Sequence, residues 1–322
     1  MRDRIALFLT VLILTISAIY WQQDIIFNFL KELCIPFTPK PTISVLLSSY
    51  NMGEALPKAI DSLIAQTYTD WELIVINDGS IDNTTKNLRK YRKNLKIRIF
   101  TNHKNIGLIA SLNKGYKKIR GKYLARMDAD DYSYPNRFER TITLLEKENL
   151  DLVGAWCNEK EYYYNTKAQD YLNTLGIGLY LIKDNNYCQS STLMRKSFLD
   201  KHNIKYDPQY KNAEDYDYWM KIFMNGGKMA YMGGEPLTKY HRTFHSPEWF
   251  NTQFSSARKI RIRTLSQIIP NFDERLLEKP LPLLMTDIIE GNKTTKIFNQ
   301  EELINCQKTK CYIYEQALRQ RL

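Results

Sequence analysis

Three aspartates, Asp128, Asp130 and Asp131, follow the apolar run YLA in the stretch RMDADDYSYPNRFE, residues 126–139. Like charges this close repel one another, and the end of a buried strand is a poor place to leave them unneutralised. Asp128 and Asp130 form an Asp-x-Asp pair. Hard carboxylate oxygens in a tight turn suit a divalent cation, Mg2+ or Mn2+. Such an ion keeps positions for water and for substrate phosphates, so a departing diphosphate could be bridged and neutralised here. An EF-hand loop is excluded. Asp128, Asp130 and Glu139 sit at suitable spacing, but Ser133 stands where that loop requires glycine and Pro135 interrupts it. A helix cap would explain one aspartate, not three.

A second acidic pair lies in KNAEDYDYWMKIF, residues 211–223. Glu214 and Asp215 fall in the first turn of an amphipathic helix, with Tyr218, Trp219 and Ile222 behind them. The helix dipole alone favours carboxylates there. The chemical alternative is a general base that deprotonates an acceptor hydroxyl. Asp78, in NDGS, could accept the imide N–H of a uracil ring, although Asn-Asp-Gly-Ser is also ordinary turn chemistry. Ser48 and Tyr50, in SSYN, offer a hydroxyl and a ring to a base or ribose, or else cap and pack.

These groups need a scaffold that brings them to one edge. Strands are expected at ISVLLS (43–48), WELIVIND (71–78), IRIFTN (97–102), KYLARMD (122–128) and DLVGAWC (151–157). Helices are expected between them at 54–67, 82–93, 107–119 and 135–148, the second opened by Asp82 and the last by Pro135. Unbroken β-favouring runs alternating with helices imply an α/β fold with a mostly parallel, Rossmann-like sheet flanked by helices. In such sheets ligands lie beyond the carboxyl ends of the strands. SSYN, NDGS, NHKN and DADD all stand at those ends.

The chain divides into an N-terminal membrane anchor (1–21), a linker (22–41), a catalytic domain (42–245) and a helical C-terminal extension (246–322). Residues 5–21 carry no charge and end in Tyr20 and Trp21, as an uncleaved single-pass anchor would. The net charge of +11 suits phosphorylated small molecules or an anionic membrane surface. The basic segment ARKIRIR (257–263) is no nucleic-acid motif, and no nucleic-acid partner is expected. None of the five cysteines has metal-ligand spacing to another, and their number leaves the redox compartment open.

Taken together, PTISVLLSSYN, SLIAQTYTDWELIVINDGSIDNT, NIGLIASLNKGY, ARMDADD with PNRFE, and AEDYDYW resemble a family 2 glycosyltransferase of the GT-A fold, in order and spacing as well as motif. The resemblance spans roughly residues 42–245. It implies an inverting transfer of a sugar from a nucleotide-diphosphate donor, commonly a UDP-sugar, to a hydroxyl of a saccharide, lipid-linked or protein acceptor. It implies that Ser48, Tyr50 and Asp78 bind the donor nucleoside, that Asp128 and Asp130 hold Mn2+ or Mg2+, and that Asp215 is the base. Asn105, Asn113, Arg126 and Asp128 would line the donor, Glu214 would flank the base, and His245 would touch metal or phosphate. In NYCQSSTLMR (186–195), Cys188 and Gln189 replace the His-Pro or His-Ser common in the family. Two other classes compete. A sugar-1-phosphate nucleotidyltransferase would carry a basic, glycine-rich loop after the first strand, which SSYNMGEALP is not. A non-catalytic nucleotide-sugar binder would have no need of both acidic pairs. The anchor would leave the catalytic domain in a Golgi or secretory lumen in a eukaryote, and in the cytosol at the inner membrane in a bacterium.

Overall fold

The structure is a computed structural model that describes residues 39–155, 157, 174–183, 185, 187–241 and 246–309. The expected anchor and His245 lie outside the described residues. Among the described residues no helix is long and apolar enough to cross a membrane.

The chain opens with β1 (Ile43–Ser49), α1 (Leu56–Ile64), β2 (Trp71–Asn77), α2 (Thr84–Leu88), β3 (Ile97–Thr101), α3 (Leu108–Tyr116) and β4 (Tyr123–Asp128). There follow β5 (Tyr132–Ser133), α4 (Arg137–Lys147), β6 (Leu152–Ala155), α5 (Thr174–Leu181), β7 (Leu193–Arg195), α6 (Lys196–Lys201), α7 (Glu214–Met224), β8 (Met229–Met232) and β9 (Thr238–Lys239). Three helices, α8 (Pro247–Ile268), α9 (Leu281–Thr295) and α10 (Gln300–Thr309), end the described part.

Seven strands form one sheet in the order β3-β2-β1-β4-β7-β6-β8, and β5 pairs with β9 in a separate two-stranded ribbon. All neighbours in the large sheet are parallel except those of β7, which runs against both β4 and β6. The expectation of a mostly parallel sheet therefore stands, with β7 as a feature that the three-residue LMR run does not announce. β1 and β2 are buried along their whole length, as continuous apolar runs require. Their side chains alternate between two cores. Leu46, Ile74 and Ile76 face one with α3 and α7, while Val45, Leu47, Leu73 and Val75 face the other with α1 and α4.

The polar second helix is shorter than the expected 82–93. Asp82 accepts hydrogen bonds from the Thr84 and Gly53 amides at 2.9 Å each, so it ties two loops together and the helix begins two residues later. A 3-10 turn over Arg89–Tyr91 ends it.

The C-terminal helices are not a separate unit. Ile260, Leu265, Ile268, Leu284, Ile288 and Leu303 share one core with Trp219, Ile222 and Phe223 of α7. Phe298 stacks on Phe223 with ring centroids 5.1 Å apart. Ser256 donates to the Lys211 carbonyl at 2.8 Å, and Arg263 pairs with Asp217, which is wholly buried.

Candidate active site

The strand register fixes the first contacts. Ser48 sits opposite Ile76 on one side and Asp128 on the other. The carboxyl ends of β1, β2 and β4 therefore bring Ser48, Asp78 and Asp128 to one rim of the sheet. Ser48 is nearly buried there and Tyr50 is exposed.

Asp78 is 1% exposed and holds loops together. Its Oδ1 accepts from the Asn102 side chain at 2.8 Å and the Ile106 amide at 2.9 Å, and its Oδ2 accepts from the Gly107 amide at 2.9 Å. These bonds hold the β3–α3 loop against the end of β2. Asn105 accepts from the Gly107 amide at 2.9 Å, a local turn, and stays exposed. Asn113 clamps the backbone of Tyr206 at both ends, donating to its carbonyl at 2.8 Å and accepting from its amide at 3.2 Å. Asn113 is thus linked to the acidic rim through Tyr206. Burial, with Glu214, Asp128 and Asp215 nearby, raises the pKa of that phenol well above its ordinary value.

Beneath the acidic turn lie two buried arginines. Arg126 donates to the carbonyls of Leu46 and Met127 and to Asp128 Oδ1, the last at 3.0 Å. Arg137, at the start of α4, donates to the carbonyls of Arg126 at 2.7 Å and Thr192 at 3.2 Å, and so joins α4 to β4 and β7. Burial pushes its guanidinium down to about 9. Asp128 keeps about a third of its surface open. Gln189 donates to both of its oxygens at 3.1 Å each, and Ser190 Oγ accepts from its amide at 2.9 Å. Asp130 is half-buried. Asp131 is 2% exposed, with Oδ1 accepting from the His241 amide at 2.8 Å and Oδ2 enclosed without a hydrogen bond. Burial, then the neighbouring Asp128, pushes its carboxyl up to about 7.

Across the rim stands the N-terminus of α7. Glu214 is 7% exposed, and burial with the charge of Asp215 pushes its carboxyl up to about 8. Asp215 is half-buried, accepts from the Asn185 side chain at 2.9 Å and from the Tyr216 amide at 2.6 Å, and has its pKa raised by burial. The charge of Asp128 acts on both Glu214 and Asp215. The end of β4 and the start of α7 are therefore one electrostatic site.

Among the described residues, no three His, Cys, Asp or Glu side chains form a ready-made metal cage. The donors do suit an ion held lightly by protein. Asp128 and Asp130 are hard oxygen ligands, and Mg2+-like ions are typically bound by one or two carboxylates plus substrate phosphates.

Sequence reasoning missed Gln66, Arg137 and Ser190, and marked Gln189 only as a departure from the family pattern. Gln66 is 5% exposed and donates to Ser133 Oγ at 3.1 Å and the Tyr134 carbonyl at 2.8 Å, while accepting from the Phe138 amide at 3.1 Å. It fixes the far end of the acidic loop. A lone amide in the apolar run SLIAQTY was the available signal. Arg137 looks like one more charge on a helix until its burial is seen.

A mostly parallel α/β sheet with acidic groups converging on its carboxyl edge is compatible with the GT-A glycosyltransferase fold that the sequence motifs resemble. Comparison with known proteins agrees. The model of glycosyl transferase family 2 matches residues 44–202. An uncharacterized glycosyltransferase of Haemophilus influenzae is 30% identical over 287 residues, 83% of this chain and 87% of that protein. The putative glycosyltransferase EpsE of Bacillus subtilis is 30% identical over 190 residues, 58% of this chain and 68% of that protein. The fold is similar to S. aureus TarS 1–349, solved in complex with UDP-GlcNAc, with a TM-score of 0.60 and 16% identity over 84% of this chain and 78% of that one. It is also similar to the mannosyltransferase PcManGT of Pyrobaculum calidifontis, solved with GDP-Man and Mn2+, with a TM-score of 0.51 and 12% identity over 93% and 97% of the two chains. The chain belongs to glycosyl transferase family 2 and is a glycosyltransferase.

Proposed function

We propose that the enzyme transfers a sugar with inversion from a nucleotide-diphosphate donor, a UDP-sugar being the first to test, to an acceptor hydroxyl. The observation that carries this reading is the strand register that brings Ser48, Asp78 and Asp128 to one rim of the sheet, with the charge of Asp128 near enough to Asp215 to help raise its pKa. Donor-side and acceptor-side carboxylates then face one reacting centre.

Asp215 is the base. Its raised proton affinity suits proton uptake from a hydroxyl, and Asn185 and the Tyr216 amide fix its two oxygens. Inversion proceeds by one displacement, so no carboxylate nucleophile is needed. Asp128 and Asp130 would hold Mn2+ or Mg2+, which would neutralise the diphosphate as it departs. Arg126, buried against Asp128, keeps that carboxylate in place beneath the donor. Ser48 and Tyr50 are assigned to the nucleoside. Asp78 contributes mainly by shaping the loop around it, because its oxygens already bind three donors.

TarS was solved with UDP-GlcNAc and PcManGT with GDP-Man and Mn2+, which supports a nucleotide-sugar donor and a divalent ion for this chain as well. Residues 5–21 remain our candidate for a membrane anchor, on their uncharged apolar sequence alone.

The test is a donor screen with Mn2+ that follows release of the nucleoside diphosphate. Asp215→Asn should retain donor binding and lose transfer by about 10²-fold or more, the scale of general-base catalysis. Wild-type turnover by that variant would refute the base assignment.

A further inference from the structure

The carboxylate at the end of β4 is held by a side chain to which the motifs assign no role. Gln189 Nε2 lies 3.1 Å from both Asp128 oxygens, while Arg126 donates to Oδ1 at 3.0 Å. The rest of the loop is fixed just as firmly. Ser190 Oγ accepts from the Asp128 amide at 2.9 Å, Thr192 Oγ1 donates to the Gln189 carbonyl at 2.8 Å, and Thr238 donates to the Ser190 carbonyl at 3.1 Å. Ser191 Oγ donates to the Ala155 carbonyl at 2.7 Å. Cys188, the residue before Gln189, is joined to Cys157 by a disulfide. A loop tied at this many points is built to deliver one side chain to one place.

Resting on the donor-side role proposed for Asp128, we infer that Gln189 is a positioning residue for the transfer reaction. It holds the Asp128 carboxylate in the orientation that would take the divalent ion and, through that ion, the donor diphosphate. An amide does this without adding charge. A second cation beside Arg126 would neutralise the carboxylate, whereas the amide orients it and leaves its charge for the divalent ion that would bridge to the donor. Carboxylates that bind through an ion depend on such supporting hydrogen bonds, and their loss costs roughly 10–100-fold in affinity or activity.

The experiment uses the full chain and the donor identified by the screen above. Gln189→Leu keeps the volume and removes the hydrogen-bond donor. It should raise the donor KM about 10-fold or more, weaken calorimetric binding of the corresponding nucleoside diphosphate by a similar factor, and leave the acceptor KM unchanged. Gln189→His, which retains one N–H, should recover part of the loss. A role confined to packing would move thermal stability and both KM values together, without rescue by histidine, and would overturn the inference. An unchanged donor KM in Gln189→Leu would overturn it too. Should Gln189→Leu not fold, Gln189→Glu is measured the same way. Asp128→Asn runs alongside. If that variant keeps wild-type donor affinity, the role of Asp128 itself falls. If it loses affinity while Gln189→Leu does not, only the role of Gln189 falls.

Discussion

At the scale of single residues the site is a set of carboxylates held in unequal surroundings. Glu214 and Asp215 are neighbours, yet one is nearly enclosed and the other half-open. Enclosure makes Glu214 the better proton holder and Asp215 the group that can meet a substrate. The linkage is direct. A carboxyl whose folded pKa is raised from an ordinary 4.5 to about 8 binds its proton more tightly folded than unfolded. Its stabilising contribution is complete below about pH 4.5 and is lost as pH rises toward 8. Glu214→Gln removes that dependence. The melting temperature of the variant minus that of wild type should therefore climb steadily between pH 4.5 and 8. A difference flat with pH would contradict the assignment. The acidic residues were legible in sequence because Asp-x-Asp after a buried strand is a conspicuous pattern. Arg126 was named for the donor on the resemblance alone, and Arg137 was not named, since nothing in PNRFE tells a buried arginine from a solvated one. Asp78 was singled out for a base contact, but what the folded chain displays is its grip on the β3–α3 loop.

At the scale of elements, the alternating strands and helices of residues 43–155 were readable from apolar runs and their spacing, with strand ends displaced by a residue or two and helix ends by up to five. The segment from 174 to 210 was not. Its strand is three residues long and its helices are short, so no period accumulates. Order comes there from long-range ties, chiefly the Cys157–Cys188 disulfide across a sequence separation of 31. Sequence gave no pairing for these cysteines, because two scattered cysteines meet only in the folded chain. Closing a loop of that length restricts the unfolded chain by roughly 3–4 kcal/mol. Cys157→Ser should lower unfolding stability by about that amount in a denaturant titration, and dithiothreitol should lower that of wild type by at least as much. A stability unchanged by reduction would show that the 188–192 loop is held by its hydrogen bonds alone.

At the scale of the molecule, the sheet divides two cores, and the tail belongs to one of them. The sequence pattern showed residues 246–322 to be helical but gave no partner for them. The partner is α7, the helix that carries Asp215. Removing residues 247–322 would expose Trp219, Ile222 and Phe223 and leave Asp217 without Arg263. Expression of residues 39–246 alone should therefore yield aggregated protein or one without a cooperative thermal transition. A soluble, cooperatively melting fragment would mean that the tail is an accessory. The charge of +11 is spread over a molecule whose reactive rim is acidic. On the proposed reading, a phosphorylated donor would need a local cation at that rim even though the chain as a whole is basic.

That requirement is the centre of the account, and anomalous scattering tests it most directly. Crystals grown with UDP and Mn2+ should show a manganese peak within coordination distance of the Asp130 carboxylate, beside Asp128 and touching the diphosphate. UDP bound with no manganese there, or manganese bound away from the β4 turn, would contradict it.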